Sequence, residues 1–209
     1  MESTLAKTKS GFYDVREFPA LEGLVDSWEV IQGEYRNLNA PPMGVSRRDK
    51  DHDEVFEELL LRVAAGEEYG WIYGGDCRDQ TETVRDWLQY ALVYQDNPLA
   101  PAKASMPKTI DLFRGIEGVY VAALSNLRAG SLLHLHNHPD IKQNNFLQMN
   151  MGIDVPEYCY FNLSGEFQEH KNGKPIIFDG SQDHFAVNPS TEDRIILYLE
   201  FSKEIRAKN

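Results

Sequence analysis

From Val119 onward the chain is a succession of short β-branched and aromatic stretches: "VYVAALSNL", "SLLHLHNH", "FLQMNMGI", "YCYFNLS", "KPIIFD", "HFAVN" and "RIILYLEF". Turn residues at Arg128-Ala129-Gly130, Asn172-Gly173 and Asp179-Gly180 separate several of them, and strands at such spacing are the signature of an all-β sandwich or barrel. The half before Val119 reads differently. Leu21, Leu24, Val25, Trp28, Ile31, Tyr35 and Leu38 recur at steps of three and four, the stripe of an amphipathic helix over Ala20 to Leu38 that ends before Pro41-Pro42. "VFEELLLRVAAGEE" predicts a second helix stopped near Gly66. "QTETVRDWLQYAL" predicts a third, capped at Thr81 or Thr83 and able to run into a strand at "LQYALVYQ". Helices first and many short strands afterwards predict a mostly β fold: a double-stranded β-helix, or jelly roll, flanked by N-terminal helices. The expected organisation is one domain over 1–209, with 1–10 a frayed tail, 11–100 a mainly helical flank and 101–209 the jelly-roll core.

Charge limits the partners. A net charge of −12 lacks the basic footprint that a nucleic-acid backbone or an anionic membrane surface requires. No apolar run approaches the roughly 18 to 20 residues that cross a bilayer, and "MESTLAKTKSGFY" lacks the apolar centre of a signal peptide. The expected location is therefore cytoplasmic. Cys77 and Cys159 are the only cysteines and form no CxxC pair, so a bound metal would depend on histidine.

Three of the six histidines, His134, His136 and His138, fall within five residues of "SLLHLHNHPD". On an extended strand His134, His136, His138 and Asp140 project to one side and Leu133, Leu135 and Asn137 to the other. Imidazoles two residues apart can share one ion if a further ligand arrives from another strand, and His184 in "FDGSQDHFAVN" is the candidate. The competing reading is a solvated strand edge. Arg194 opens "RIILYLEF" opposite Ile195, Leu197, Leu199 and Phe201. If buried it demands an anion; if exposed it pairs with an acid such as Asp193.

The pattern resembles the catalytic domain of the aspartyl/asparaginyl β-hydroxylase family of iron(II)/2-oxoglutarate oxygenases. "DSWEVIQGEY" stands where that family has Trp-x-x-Ile, and "DWLQYALVYQ" and "MPKTIDLF" match its Trp-Gln-aromatic and Pro-Lys-Thr segments. Ser125, Gly130 and His136 reproduce its serine five residues before a glycine and metal histidine six after it. Phe178, Asp179, Ser181, His184 and Arg194 reproduce Phe-Asp-x-Ser-x-x-His with arginine ten residues on. The resemblance implies iron(II) held by His136 and His184, with 2-oxoglutarate as cosubstrate and O2 as oxidant. Arg194 would grip the far carboxylate and Ser125 would donate a hydrogen bond to it. It also implies hydroxylation of an amino-acid-like, carrier-bound or peptidyl substrate.

The chain departs from that pattern in two places. Where family members have Gly or Asp two positions after the first histidine, this one has His138. His138 is then a third ligand, or His138 and Asp140 form a His-x-Asp pair, or His138 only lines the site. The family's Arg and His on the next strand are replaced by Gln148 and Asn150, neutral amides in the cosubstrate region. Gly130, His136, His138, His184 and Asn188 also resemble the cupins, which implies a three-histidine oxygenase that needs no 2-oxoglutarate. A non-catalytic metal or small-molecule binding protein is the third possibility. "LAPAKASMPK" and the aromatic residues Tyr69, Trp71 and Tyr73 are candidates for pocket walls or for core.

Overall fold

The computed structural model describes residues 11–47, 50–74 and 86–208. In chain order the elements are β1 (Phe12–Tyr13), α1 (Glu22–Asp26), α2 (Trp28–Arg36), β2 (Pro42–Ser46), α3 (His52–Ala64), β3 (Trp71–Tyr73), β4 (Trp87–Tyr94) and β5 (Asn97–Pro98). There follow α4 (Ala100–Ser105), α5 (Pro107–Phe113), β6 (Ile116–Leu127), β7 (Ser131–His136), α6 (Pro139–Gln143), β8 (Phe146–Asp154) and β9 (Tyr160–Leu163). The chain closes with β10 (Glu166–Glu169), β11 (Pro175–Phe178), β12 (His184–Asn188) and β13 (Arg194–Ala207).

Two sheets face each other. Among the described residues, the larger has nine strands in the order β1-β11-β8-β13-β6-β4-β3-β2, with β5 paired to β4; the smaller runs β10-β9-β12-β7. Apart from the parallel β2–β3 pair, neighbours are antiparallel. Alternation along β13 sends Ile195, Leu197, Leu199 and Phe201 outward into a core shared with Leu21, Leu24 and Ile31 of the N-terminal segment and Val55, Phe56 and Leu59 of α3. A smaller apolar cluster between the sheets holds Phe12, Trp87, Leu127, Phe161, Leu163, Ile176, Phe178 and Ala186. The helices thus cover the outer face of the large sheet and leave its inner face for the site.

The first half differs from expectation in several ways. Residues 11–100 carry strands beside the expected helices: they contribute β1 to β5, and β2, β3 and β4 extend the large sheet. "DWLQYAL" is strand β4, buried from Trp87 through Val93; a strand covered on both faces shows no alternation and reads as an apolar run. The cap proposed at Thr81 or Thr83 lies outside the described residues, as does the tail 1–10. The helix expected over Ala20 to Leu38 is interrupted at Ser27, between α1 and α2. "LAPAKASMPK" forms α4 and the start of α5. The backbone N–H groups of Lys108 and Thr109, at the start of α5, donate to the Glu34 carboxylate of α2 at 2.9 and 2.7 Å, which satisfies helix-end donors that otherwise have no partner. Tyr69 donates to Ala91 O at 2.5 Å and packs edge-on against Tyr90, so it belongs to the core.

Candidate metal and anion site

Inner-face residues of both sheets converge on a narrow cavity of about 40 Å³ lined by Trp87, Ser125, Gln148, Asn150, Arg194, Ile196 and Tyr198 from the large sheet. Leu133, His136, Phe161, His184 and Ala186 line it from the small sheet, and Arg47 and His138 from connections. The nitrogen atoms that His136, His138 and His184 can offer a metal lie within 4.8 Å of one another. Ring centroids are 4.3 Å apart for His136 and His184, 5.1 Å for His136 and His138, and 5.4 Å for His138 and His184.

Local structure, not simple alternation, brings the three together. β7 pairs with β12 as His136↔His184 and Leu133↔Ala186: three residues advance on β7 while two advance on β12, a β-bulge. The extra residue turns His134 and Leu135 outward, where both are exposed, while Leu133 and His136 face in. The predicted common face of His134, His136, His138 and Asp140 is therefore not formed. β7 ends at His136, and His138 is the extended residue before α6. Its backbone N–H donates to Gly180 O at 2.9 Å, which hangs the imidazole over the β11–β12 turn. Asp140 is an exposed residue of α6 outside the three-histidine group.

The ring tautomers follow from hydrogen bonding. His136 Nδ1 lies 2.6 Å from His134 O, and His184 Nδ1 lies 2.8 Å from Gln182 O. A carbonyl only accepts, so each Nδ1 carries a proton; in the neutral ring that puts the lone pair on Nε2, the arrangement that orients metal-binding imidazoles. Burial and the neighbouring His136 hold the pKa of His138 down to about 3 and that of His184 to about 4, so both are neutral at pH 7.

The "FDGSQDH" segment has a structural reason at each position. Asp179 Oδ1 accepts from Ser181 N at 3.1 Å and Ser181 Oγ at 2.6 Å, closing the turn before His184. A Cβ at Gly180 would stand 2.0 Å from Gln148 Oε1, so glycine is what permits Gln148 to approach. Asn188 is a structural staple, not a site residue: Nδ2 donates to the carbonyls of Leu127, Arg128 and Glu192.

Arg194 is 2% exposed, and its Nε has no hydrogen-bond partner among the described residues. Burial lowers its pKa to about 10, still charged at neutral pH. Asp193 turns away to accept from Asn126 Nδ2 at 3.0 Å and Ala129 N at 3.1 Å, so the exposed Arg194–Asp193 pair does not occur. Ser125 Oγ accepts from Trp87 Nε1 at 2.8 Å, leaving its own O–H to donate. Gln148 gives its amide N–H to Tyr198 Oη at 2.7 Å and Glu200 Oε1 at 3.4 Å. The buried side-chain carbonyl oxygens of Gln148 and Asn150 have no hydrogen-bond partner among the described residues.

Behind this cavity runs a polar network that the sequence reading did not single out. Glu200 is buried, ion-paired to His52 Nε2 at 3.2 Å and hydrogen-bonded by Tyr198. Arg47 Nη1 donates to Gln89 Oε1 at 2.8 Å, and Nη2 lies 3.3 Å from the His52 ring. Burial alone would raise the Glu200 pKa; His52, Tyr198 and Arg47 outweigh it and hold it at about 2. The period of two that runs Arg194, Ile196, Tyr198, Glu200 was signal enough for Tyr198 and Glu200. Nothing in the sequence marked Arg47 or His52.

The chain belongs to the aspartyl/asparaginyl beta-hydroxylase family, whose profile matches residues 26–204. It is 27% identical over 192 residues to an ornithine lipid ester-linked acyl 2-hydroxylase of Rhizobium tropici, in a match covering 86% of this chain and 66% of that protein; the chain thus spans just under two thirds of that relative's length. Among solved structures, it is similar to an oxidoreductase of the 2OG-Fe(II) oxygenase family from Burkholderia pseudomallei, with TM-score 0.43, 12% identity, and 71% of this chain and 79% of that chain covered. It is also similar to a predicted oxalate decarboxylase from Thermotoga maritima, with TM-score 0.37, 16% identity, and 56% and 80% covered. No helix among the described residues is long and apolar enough to cross a membrane.

Proposed function

We propose that the protein is an iron(II)/2-oxoglutarate-dependent dioxygenase in which His136, His138 and His184 hold the metal and Arg194 and Ser125 hold the cosubstrate. The observation that carries this reading is the buried guanidinium of Arg194, without a hydrogen bond at Nε from the described residues, in the cavity that also gathers the three imidazoles. Leaving a charged donor unmet in a protein interior costs several kcal/mol, on the order of 3 to 5, and a dicarboxylate gripped by the planar fork removes that cost.

When bound, iron and O2 convert 2-oxoglutarate to succinate and CO2 and place one oxygen atom in a substrate C–H bond. The chain's own residues do the rest. Neutral imidazoles present lone pairs without a proton to displace, the Ser125 hydroxyl and Arg194 orient the 2-oxo acid, and Leu133, Phe161, Phe178 and Ile196 limit water in the cavity. The substrate is an amino-acid-like, carrier-bound or peptidyl group, or an ester-linked acyl group of the kind named for the Rhizobium relative. Iron-dependent succinate formation from 2-oxoglutarate under O2, absent without iron(II), tests the proposal. In the same reading residues 1–209 act as one oxygenase domain in the cytoplasm.

A second reading is favoured by one observation: among the described residues the group is three histidines with no carboxylate. A three-histidine oxygenase would chelate its substrate directly and bind no 2-oxoglutarate.

A further inference from the structure

The cavity that gathers the three imidazoles has a floor and a mouth. Of its lining residues only Arg47, Leu133, His136 and His138 are half-buried; the rest are buried. Whatever enters from solvent meets these four first. The lining holds two guanidiniums, Arg194 on the floor and Arg47 at the mouth, and no carboxylate. The cosubstrate assigned to Arg194 accounts for only one of them.

Arg47 is held in place from several sides. It lies in the connection between β2 and α3, where its backbone N–H donates to Tyr73 O at 3.1 Å. Its Nη1 donates to Gln89 Oε1 at 2.8 Å, and Nη2 lies 3.3 Å from both ring nitrogens of His52. A guanidinium has five N–H groups and no acceptor, so these contacts fix the fork and leave it donors to spare. They also fix Gln89, which must turn its carbonyl oxygen to Arg47; its buried Nε2 has no hydrogen-bond partner among the described residues. Gln89 stands across from Ser125 on the inner face of the large sheet. Beside the mouth the chain therefore gathers donors.

The competing role for Arg47 is support of Glu200. Glu200, however, already takes His52 Nε2 at 3.2 Å and the Tyr198 hydroxyl, and Arg47 acts on it only at longer range. Among the described residues Arg47 makes no ion pair. A half-buried cation without a direct counter-ion, at the mouth of a cavity that supplies no carboxylate, suits an anion that arrives from outside. We propose that Arg47 anchors an oxyanion of the substrate, a carboxylate or a phosphate, at the cavity mouth while Arg194 holds the cosubstrate on the floor. This deepens the oxygenase reading above and rests on it. The substrate class is then an anionic molecule whose reacting C–H bond lies close to its acid group, because Arg47 lines the same narrow mouth as His136 and His138. The planar fork orients such a group as well as attracting it.

The test is calorimetric titration of the zinc(II)-loaded protein, saturated with 2-oxoglutarate, using N-acetylglycine, its neutral amide N-acetylglycinamide and inorganic phosphate as probes. The parent should bind the acid about tenfold or more tightly than the amide, as expected for hydrogen bonds to a charged group. In Arg47→Met that preference should fall to within about threefold, while 2-oxoglutarate affinity stays within about threefold of the parent; a merely structural role would lower both together. Arg47→Lys should keep part of the preference, having the charge without the fork. Gln89→Met, which releases Nη1 and leaves the charge, should weaken the acid more than the amide. Near-ultraviolet circular dichroism checks that each variant is folded; if Met is not tolerated at position 47, Arg47→Gln takes its place. Competition by phosphate would extend the site to phosphate-bearing substrates and its absence would confine it to carboxylates, and either result supports the anchor. Equal affinity of the parent for acid and amide, no binding of the acid at millimolar concentration, or a preference that persists in Arg47→Met would overturn the assignment of Arg47. A parent that takes up no 2-oxoglutarate overturns the cosubstrate reading, and the same probes on the zinc(II) protein alone still decide Arg47.

Discussion

His136 and His184 are register partners across the β7–β12 bulge, with ring centroids 4.3 Å apart and each Nδ1 bound to the carbonyl two residues before it. A pair so oriented is built to present two Nε2 atoms to one ion. Replacing either with alanine should abolish stoichiometric iron(II) binding and leave the fold intact, because the larger hydrophobic core lies on the opposite face of the large sheet. Metal analysis with circular dichroism checks this; one iron per chain in His184→Ala would remove that residue from the ligand set.

His138 and Asp140 part company in the structure, one in the cluster and one exposed on α6. His138→Ala should weaken zinc or iron(II) affinity by roughly two orders of magnitude, at or above the loss usual for a group that merely supports a ligand. Asp140→Ala should bind like the parent. Competition with a chromogenic chelator reads both, and the reverse order would restore the His-x-Asp pair.

Arg194 is costly to the empty protein and useful to the loaded one. Arg194→Ala should keep iron but lose on the order of 2 to 4 kcal/mol of 2-oxoglutarate binding, and lysine should rescue only part, since it keeps the charge without the fork. Arg194→Met, which fills similar space without charge, should raise the Tm of the ligand-free protein. Calorimetry measures both, and a Met variant that melts lower with unchanged 2-oxoglutarate affinity would move the anion site elsewhere.

Glu200 supplies the pH dependence. Its folded pKa of about 2 lies below the ordinary 4.5, so the unfolded chain takes up its proton first as the medium acidifies. The associated stability is present in full above pH 4.5 and is lost progressively toward pH 2, on the order of 3 kcal/mol in all. Glu200→Gln should be less stable than the parent at pH 7 and show a flatter denaturation profile between pH 5 and pH 2. Parallel profiles for the two proteins would exclude Glu200 as the source.

The jelly roll was legible because β8, β11, β12 and β13 carry short apolar runs set off by turn residues. β4 was not: covered on both faces, it lost the alternation that marks a strand. His136, His184 and Arg194 were picked out by their spacing against the family pattern; the residues alone left the histidines open to a solvated strand edge and Arg194 open to a pair with Asp193. The placement of His138 was not, since it depends on a bulge and on a hydrogen bond to Gly180 that no local pattern encodes. His52 and Arg47 reach the Glu200 network through tertiary packing of α3 and the segment before it.

The most direct test of the central claim is anaerobic addition of 2-oxoglutarate to the iron(II)-loaded protein while the visible spectrum is recorded. The account predicts a new metal-to-ligand charge-transfer band that saturates at one equivalent per iron and is lost in His184→Ala and much weakened in Arg194→Ala. An iron(II) protein whose spectrum is unchanged at millimolar 2-oxoglutarate would contradict the account and leave the three-histidine reading in its place.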